Sequence, residues 1–198
     1  TRFYAVKLLQ ELSRFHKDEG NTVALFGVEL DRLRFMRANA FHPEKEDLYY
    51  TALQRLTNNY KSIEYVSEAW YEIAAVHSNR GDQYNFLGDT TNRWEKKVAV
   101  DICDKTIAKY PKAYGSQQCA ALKSTIFYKE LNLSGEQAIA TNKKSKFLIS
   151  YKNVDTCYYK IIPYDYKKAN RRDYNWDKFV KQLRETEGLF KKTVLLED

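Results

Sequence analysis

Proline and glycine are scarce in this chain of 198 residues, at 3 and 7 respectively. Few long loops are therefore expected, because these two residues are the strongest local breakers of regular structure. Cysteine is sparse and odd in number: Cys103, Cys119 and Cys157 form no CxxC pair. That excludes a disulfide framework and a cysteine-rich zinc site. Histidine occurs three times, as His16, His42 and His77, on three separate segments with no HExxH spacing. A metal centre built on paired histidines is thereby excluded, and no cofactor is expected. There is no glycine-rich phosphate loop. No apolar run approaches the roughly 20 residues that span a bilayer, and no signal-peptide pattern is present.

What the chain has in quantity is aromatic and charged residues. Aromatics make up 15%, with 16 tyrosines, against 30% charged and 43% hydrophobic residues. The mixture can bury a core. Tyrosine, with an apolar ring and a polar tip, suits half-buried helix seams and contact surfaces. The formal charge of +7 is uneven. Residues 143–198 carry 14 Lys/Arg against 8 Asp/Glu, whereas residues 1–142 carry 19 against 18. A basic bias of this kind suits a nucleic acid, a membrane surface or an acidic partner, and is also the ordinary charge of a solvated face.

Hydrophobic residues recur every three to four positions through the first two thirds. Tyr4, Leu8, Leu12 and Phe15 mark a first helix, and Gly20-Asn21 a stop and a cap. Val23, Phe26, Leu30 and Leu33 mark a second helix; Leu48, Tyr49, Ala52, Leu53, Leu56 and Tyr60 a third, opened by Pro43. Ala69, Trp70, Ile73 and Ala74 mark a fourth. After a polar loop, Arg80 to Asn92, a fifth carries Trp94, Val98, Ile102 and Tyr110 and stops at Pro111. A sixth carries Cys119, Leu122 and Ile126. Three helix pairs whose starts are roughly 42 to 48 residues apart predict a solenoid, in which each pair buries its face against the next. Cys103 and Cys119 fall on apolar faces of neighbouring helices, where a bridge is open but unforced.

The rhythm then changes to two. Phe147, Ile149 and Tyr151 alternate with Leu148, Ser150 and Lys152; Cys157, Tyr159 and Ile161 follow a polar turn. These two runs predict a β-hairpin. Trp176, Phe179, Val180 and Leu183 predict a short amphipathic helix, and Phe190 to Leu196 a further strand. The expected fold is α+β: a helical-repeat domain over 1–130, then a small, incomplete antiparallel β-sandwich part with one short helix over 131–198. A start at Thr1 without Met and a stop within a strand-like stretch suggest a piece of a longer protein.

Trp70, Ile73, Ala74 and Gly81-Asp82, then Ala99, Cys103, Thr106 and Pro111, have the spacing of one tetratricopeptide repeat, with about 13 residues inserted between its halves. Cys103 stands where an aromatic is usual. The stretch from Ala99 to Pro111, followed by Gln118-Cys119, the strand Phe147 to Val154 and Tyr159-Lys160-Ile161-Ile162, resembles the N-terminal part of the large alpha-2-macroglobulin-like proteins of the Bacteroidetes type. The resemblance implies a helical repeat region before the first macroglobulin-type β-sandwich. It also implies an envelope-associated, secreted parent that traps proteases after cleavage of a bait segment, some members using a Cys–Gln thioester. Partners would then be other domains of the same polypeptide, proteases or envelope proteins.

Ser134-Gly135-Glu136-Gln137 differs from the macroglobulin thioester motif by serine in place of cysteine. Serine cannot supply the sulfur, so the tetrad is read as coincidence. No nucleophile–base pair is evident, and carboxylates such as Asp31, Asp101 and Asp104 sit among basic residues as solvated charge does. The chain is therefore read as no enzyme, without a small-molecule substrate. Tyr49, Tyr60, Trp70 and Tyr71 are the expected partner-contact residues, some of them shared with the core. Lys143, Lys144, Lys146, Lys167, Lys168, Arg171 and Arg172, with Tyr164, Tyr166, Tyr174 and Trp176 nearby, form an expected basic patch. The leading function is a non-catalytic structural and interaction module of a macroglobulin-like envelope protein. A free-standing tetratricopeptide-type adaptor is the alternative, and a nucleic-acid binder using the basic patch the third reading.

Overall fold

The computed structural model describes residues 2–85, 87–136, 143–163, 175–188 and 190–196. The chain is α+β, with seven helices and two antiparallel sheets of two strands each, and no closed barrel among the described residues. It divides into two compact units, Thr1–Phe127 and Tyr128–Asp198.

The first unit contains α1 (Arg2–Asp18), α2 (Thr22–Asn39), α3 (Lys45–Asn59), α4 (Val66–Gly81), α5 (Glu95–Lys109) and α6 (Tyr114–Ile126). Gly20, at a φ of 75°, ends the run after α1 in a left-handed conformation that suits glycine. Asn21 then caps α2, its side-chain oxygen accepting from the Ala24 amide at 3.1 Å. Each helix packs on its successor, and α4 also packs on α6.

Two apolar clusters hold this unit. Phe26 and Leu30 of α2 meet Tyr49, Leu53 and Leu56 of α3, Tyr60, and Val66, Ala69, Ile73 and Val76 of α4. Ala74, Ala99, Cys103, Cys119 and Ile126 form the second cluster. The spacings i, i+3 and i+4 put each set on one helical stripe. Helix α4 contributes to both clusters, so it is buried on several sides and carries Ser67, His77 and Ser78 into the interior. Between α4 and α6 there is almost no space. A Cβ placed on Gly115 would lie 2.2 Å from the Ser67 carbonyl carbon and 2.4 Å from the Glu68 nitrogen.

Helix α1 differs from expectation. It buries no residue, and Phe3, Tyr4, Leu8 and Phe15 are all more than half exposed. Its periodicity encodes an amphipathic helix, but α2 covers only part of the stripe.

The second unit contains β1 (Glu130–Gly135), β2 (Phe147–Lys152), β3 (Thr156–Ile161), α7 (Trp176–Glu185) and β4 (Phe190–Leu195). The predicted hairpin of residues 147–151 with 157–161 is not formed. Instead β2 pairs with β1, from Glu130↔Lys152 to Gly135↔Phe147. Strand β3 pairs with β4, from Thr156↔Leu195 to Ile161↔Phe190. The connection between β2 and β3 turns at Asn153, whose φ is 53°. The Asn153 Nδ2 donates to the Tyr128 carbonyl at 3.0 Å, which ties this bend to the entry of β1. Both runs are genuine strands whose partners lie further away in sequence. Among the described residues of this unit only Cys157 is buried. Lys160 anchors the end of α7, its Nζ donating to the carbonyls of Arg184 (2.8 Å) and Thr186 (2.9 Å).

Candidate protein-contact surface

The four tyrosine and tryptophan residues expected to meet a partner divide between core and surface. Tyr49 and Tyr60 are only 4% and 9% exposed, which corrects their assignment as contact residues. Tyr49 occupies the inner stripe of α3 and Tyr60 the position that ends it. Tyr49 donates to Glu72 Oε2 at 2.9 Å. Burial, reinforced by Glu72, pushes its pKa well above the usual tyrosine value. Burial also pushes Tyr60 up, to about 12, reinforced by the Glu29 carboxylate. Trp70 and Tyr71 remain half-buried.

Glu72 is the hub of a charged seam between helices. Arg34 Nε donates to its Oε1 at 2.6 Å, and Arg34 also reaches Glu68 at 3.7 Å and Asp31 at 3.5 Å. Arg37 stacks over the Tyr49 ring at 4.8 Å and pairs with Glu46 at 2.8 Å. Burial raises the Glu68 pKa even with Arg34 beside it. Asp31 thus belongs to an ion-pair network, and Asp104 is paired with Lys123.

A hydrogen-bonded chain runs through Tyr50, His77 and Glu95, which come from α3, α4 and α5. The Tyr50 hydroxyl lies 3.3 Å from His77 Nε2, and His77 Nδ1 lies 2.5 Å from Glu95 Oε2. A carboxylate oxygen accepts, so Nδ1 carries the proton of the bond to Glu95, while the Tyr50 hydroxyl can donate to or accept from Nε2. Arg80 sits over the Tyr50 ring at 4.9 Å and pairs with Asp47 at 2.8 Å. The sequence offered no sign of this chain, because its members are 27 and 18 residues apart. Among the described residues no group of three or more His, Cys, Asp or Glu is arranged to hold a metal.

Of the recesses on the helical unit, two bear on contact with a partner. One, of about 370 Å³, lies between α2 and α3, where Leu33, Met36, Leu48 and Ala52 form an apolar floor beside Arg37 and Lys45. The other, of about 260 Å³, is lined by Trp70, Ile102, Lys105, Thr106, Lys109 and Tyr110. It is smaller than the roughly 300–1,000 Å³ typical of small-molecule sites, and its size suits a single protruding side chain. Lysines flank it without a carboxylate in its lining, and the Lys109 ammonium lies 5.0 Å from the Tyr110 ring centre. The Tyr110 hydroxyl is buried with no hydrogen-bond partner among the described residues. An unpaired buried hydroxyl costs roughly 1–3 kcal/mol.

The chain matches no protein-family model, no curated protein and no solved structure.

Of the expected basic patch, Lys143, Lys144 and Lys146 are exposed, on the approach to β2. Lys167, Lys168, Arg171 and Arg172, with Tyr164, Tyr166 and Tyr174, lie outside the described residues, as does Gln137 of the Ser-Gly-Glu-Gln tetrad. Ser134 and Gly135 of that tetrad are ladder residues of β1, opposite Leu148 and Phe147. No helix among the described residues is long and apolar enough to cross a membrane.

Proposed function

We propose that this chain is a non-catalytic structural and protein-interaction module, and that it forms the N-terminal part of a larger macroglobulin-like envelope protein of the protease-trapping class. The order of parts supports the macroglobulin reading: six consecutively packed helices precede a set of antiparallel strands. In this reading the helices are tetratricopeptide-like, the strands open a β-sandwich, and the parent protein is exported to the envelope.

The interaction role rests on the recess around Trp70 and Tyr110. An indole, an isoleucine and a tyrosine give it apolar walls, and Lys105 and Lys109 give it a cationic edge. The partner it fits is a peptide segment that inserts an apolar side chain and flanks it with carboxylates. Fluorescence anisotropy of the chain with a labelled peptide of alternating leucine and glutamate tests this, with a leucine–lysine peptide as control. Preferential binding of the acidic peptide, weakened by salt and reduced at least about tenfold by Trp70→Ala, is expected. Equal binding of both peptides, or indifference to the substitution, refutes the role.

The same recess would serve a free-standing adaptor. The two readings part on the parent gene, where a series of sandwich domains downstream supports the macroglobulin architecture and their absence removes it.

A further inference from the structure

Cys103 and Cys119 stand in a symmetrical relation to the turn that joins their helices. Each is eight residues from Pro111, one before it on α5 and one after it on α6. In two helices that run back along each other from a short turn, positions equidistant from it come to the same level. The structure brings both residues into one core cluster, and both are completely buried. Their neighbours in that cluster include Ala74 and Ala99, small enough to let the helices close on the sulfurs. The Thr106 hydroxyl, whose residue is also buried beside this turn, donates to the Ile102 carbonyl at 2.8 Å. Cys157, the remaining cysteine, belongs to the other unit.

Free thiols in a dry core commonly serve as small apolar fillers. Filling alone, however, requires neither the mirror placement about the turn nor the gathering of both cysteines into one small cluster. We propose that Cys103 and Cys119 are a disulfide site, closed during folding in an oxidising compartment and then shielded from solvent. The inference rests on the geometry of this pair and stands whether or not the macroglobulin reading does.

The step is ordinary thiol–disulfide exchange with a small-molecule disulfide such as oxidised glutathione. One cysteine, as thiolate, attacks the oxidant's S–S bond, giving a mixed disulfide and one free glutathione. The other then attacks the protein sulfur of that mixed disulfide and expels the second glutathione. The protein loses two protons and two electrons, and the oxidant becomes two thiols. Because both sulfurs are fully buried in the folded unit, exchange takes place before or during helix docking. The closed bond is later out of reach of a reductant in solution.

The test refolds the intact chain in a glutathione redox buffer and, separately, in excess dithiothreitol. After alkylation of free thiols, mass spectrometry is expected to show a monomer lighter by about 2 Da in the redox buffer, before the mass of the alkyl groups is counted, with a peptide pair linked through Cys103 and Cys119 and with Cys157 alkylated. The bridged chain should melt about 5–10 °C above the reduced one, because the closed loop restricts the unfolded state. A Cys103→Ala/Cys119→Ala chain should show no such difference between the two buffers. Three alkylated cysteines after redox refolding, or bridges that involve Cys157, overturn the proposal. So does a Cys103–Cys119 bond that lowers the melting temperature. The peptide map of the unsubstituted chain decides the matter even if the doubly substituted chain fails to fold.

Discussion

Adding one methyl group at Gly115 should unfold the helical unit far more easily, and the same change at Gly27 should not. A Cβ at position 115 would lie 2.2 Å from the Ser67 carbonyl carbon and 2.4 Å from both the Ser67 oxygen and the Glu68 nitrogen. All three are backbone atoms of the α4 entry, so no rotamer change can relieve the overlap. Helix α6 must retreat by about 1 Å to restore ordinary van der Waals separation, and it takes Ser116 and Cys119 with it. Overpacking of this kind costs roughly 1–3 kcal/mol, and looser packing along the rest of the seam adds to it. The better helix propensity of alanine returns at most about 1 kcal/mol. A net loss of about 2–3 kcal/mol, or a melting temperature lower by about 8 °C, is expected for Gly115→Ala. At Gly27, inside α2, nothing lies within 4 Å of the added Cβ. There the propensity gain stands alone, and Gly27→Ala should stabilise by about 0.5–1 kcal/mol. Urea unfolding followed by far-ultraviolet circular dichroism measures both. If the two substitutions shift the midpoint in the same direction, the close crossing of α4 and α6 is wrong.

His77→Ala should cost about 2 kcal/mol in the same assay, since it leaves Glu95 and Tyr50 without their shared partner at the junction of three helices. His77→Gln, which keeps a donor for Glu95, should fall between the two; an alanine variant within about 0.5 kcal/mol of the parent would show that the chain contributes nothing. Stability should also fall as pH rises above about 10. The pKa values of Tyr49, Tyr60 and Tyr71 are raised in the folded chain, so the unfolded chain releases these protons first. Their contribution is whole below the unfolded value and is lost as pH climbs through the folded ones. Tyr60→Phe should flatten the decline, and urea midpoints unchanged between about pH 9 and pH 11 would contradict the assignment.

The expectations that failed share one cause. Periodicity reports which face of an element is apolar, but not which other element will cover it. The stripe Tyr4, Leu8, Phe15 is a correct amphipathic helix whose outer face stays exposed. Tyr49 and Tyr60 looked equally suited to seam and surface, because the same amphipathic ring serves both; packing against α2 and α4, far along the chain, took them inside. Strand β1 was not foreseen, because it falls where the helical rhythm is ending, and it takes the place of β3 as the partner of β2. The recess at Trp70 was half visible: the tryptophan stood out in the sequence, whereas Tyr110, Lys105 and Lys109 reach it only through the packing of α5 on α4.

By itself the sequence determined the local states: six helical stretches with their stops at Gly20 and Pro111, an amphipathic α7, and strands wherever apolar residues alternate. Those states depend on backbone sterics, capping and side-chain period, all set within a few residues. Tertiary structure alone decided which strands pair, which tyrosines are core, how His77 finds Glu95, and that Gly115 rests on the backbone of Ser67. Those outcomes depend on contacts between residues far apart in the chain, where burial and close packing select among partners that local preference leaves equivalent.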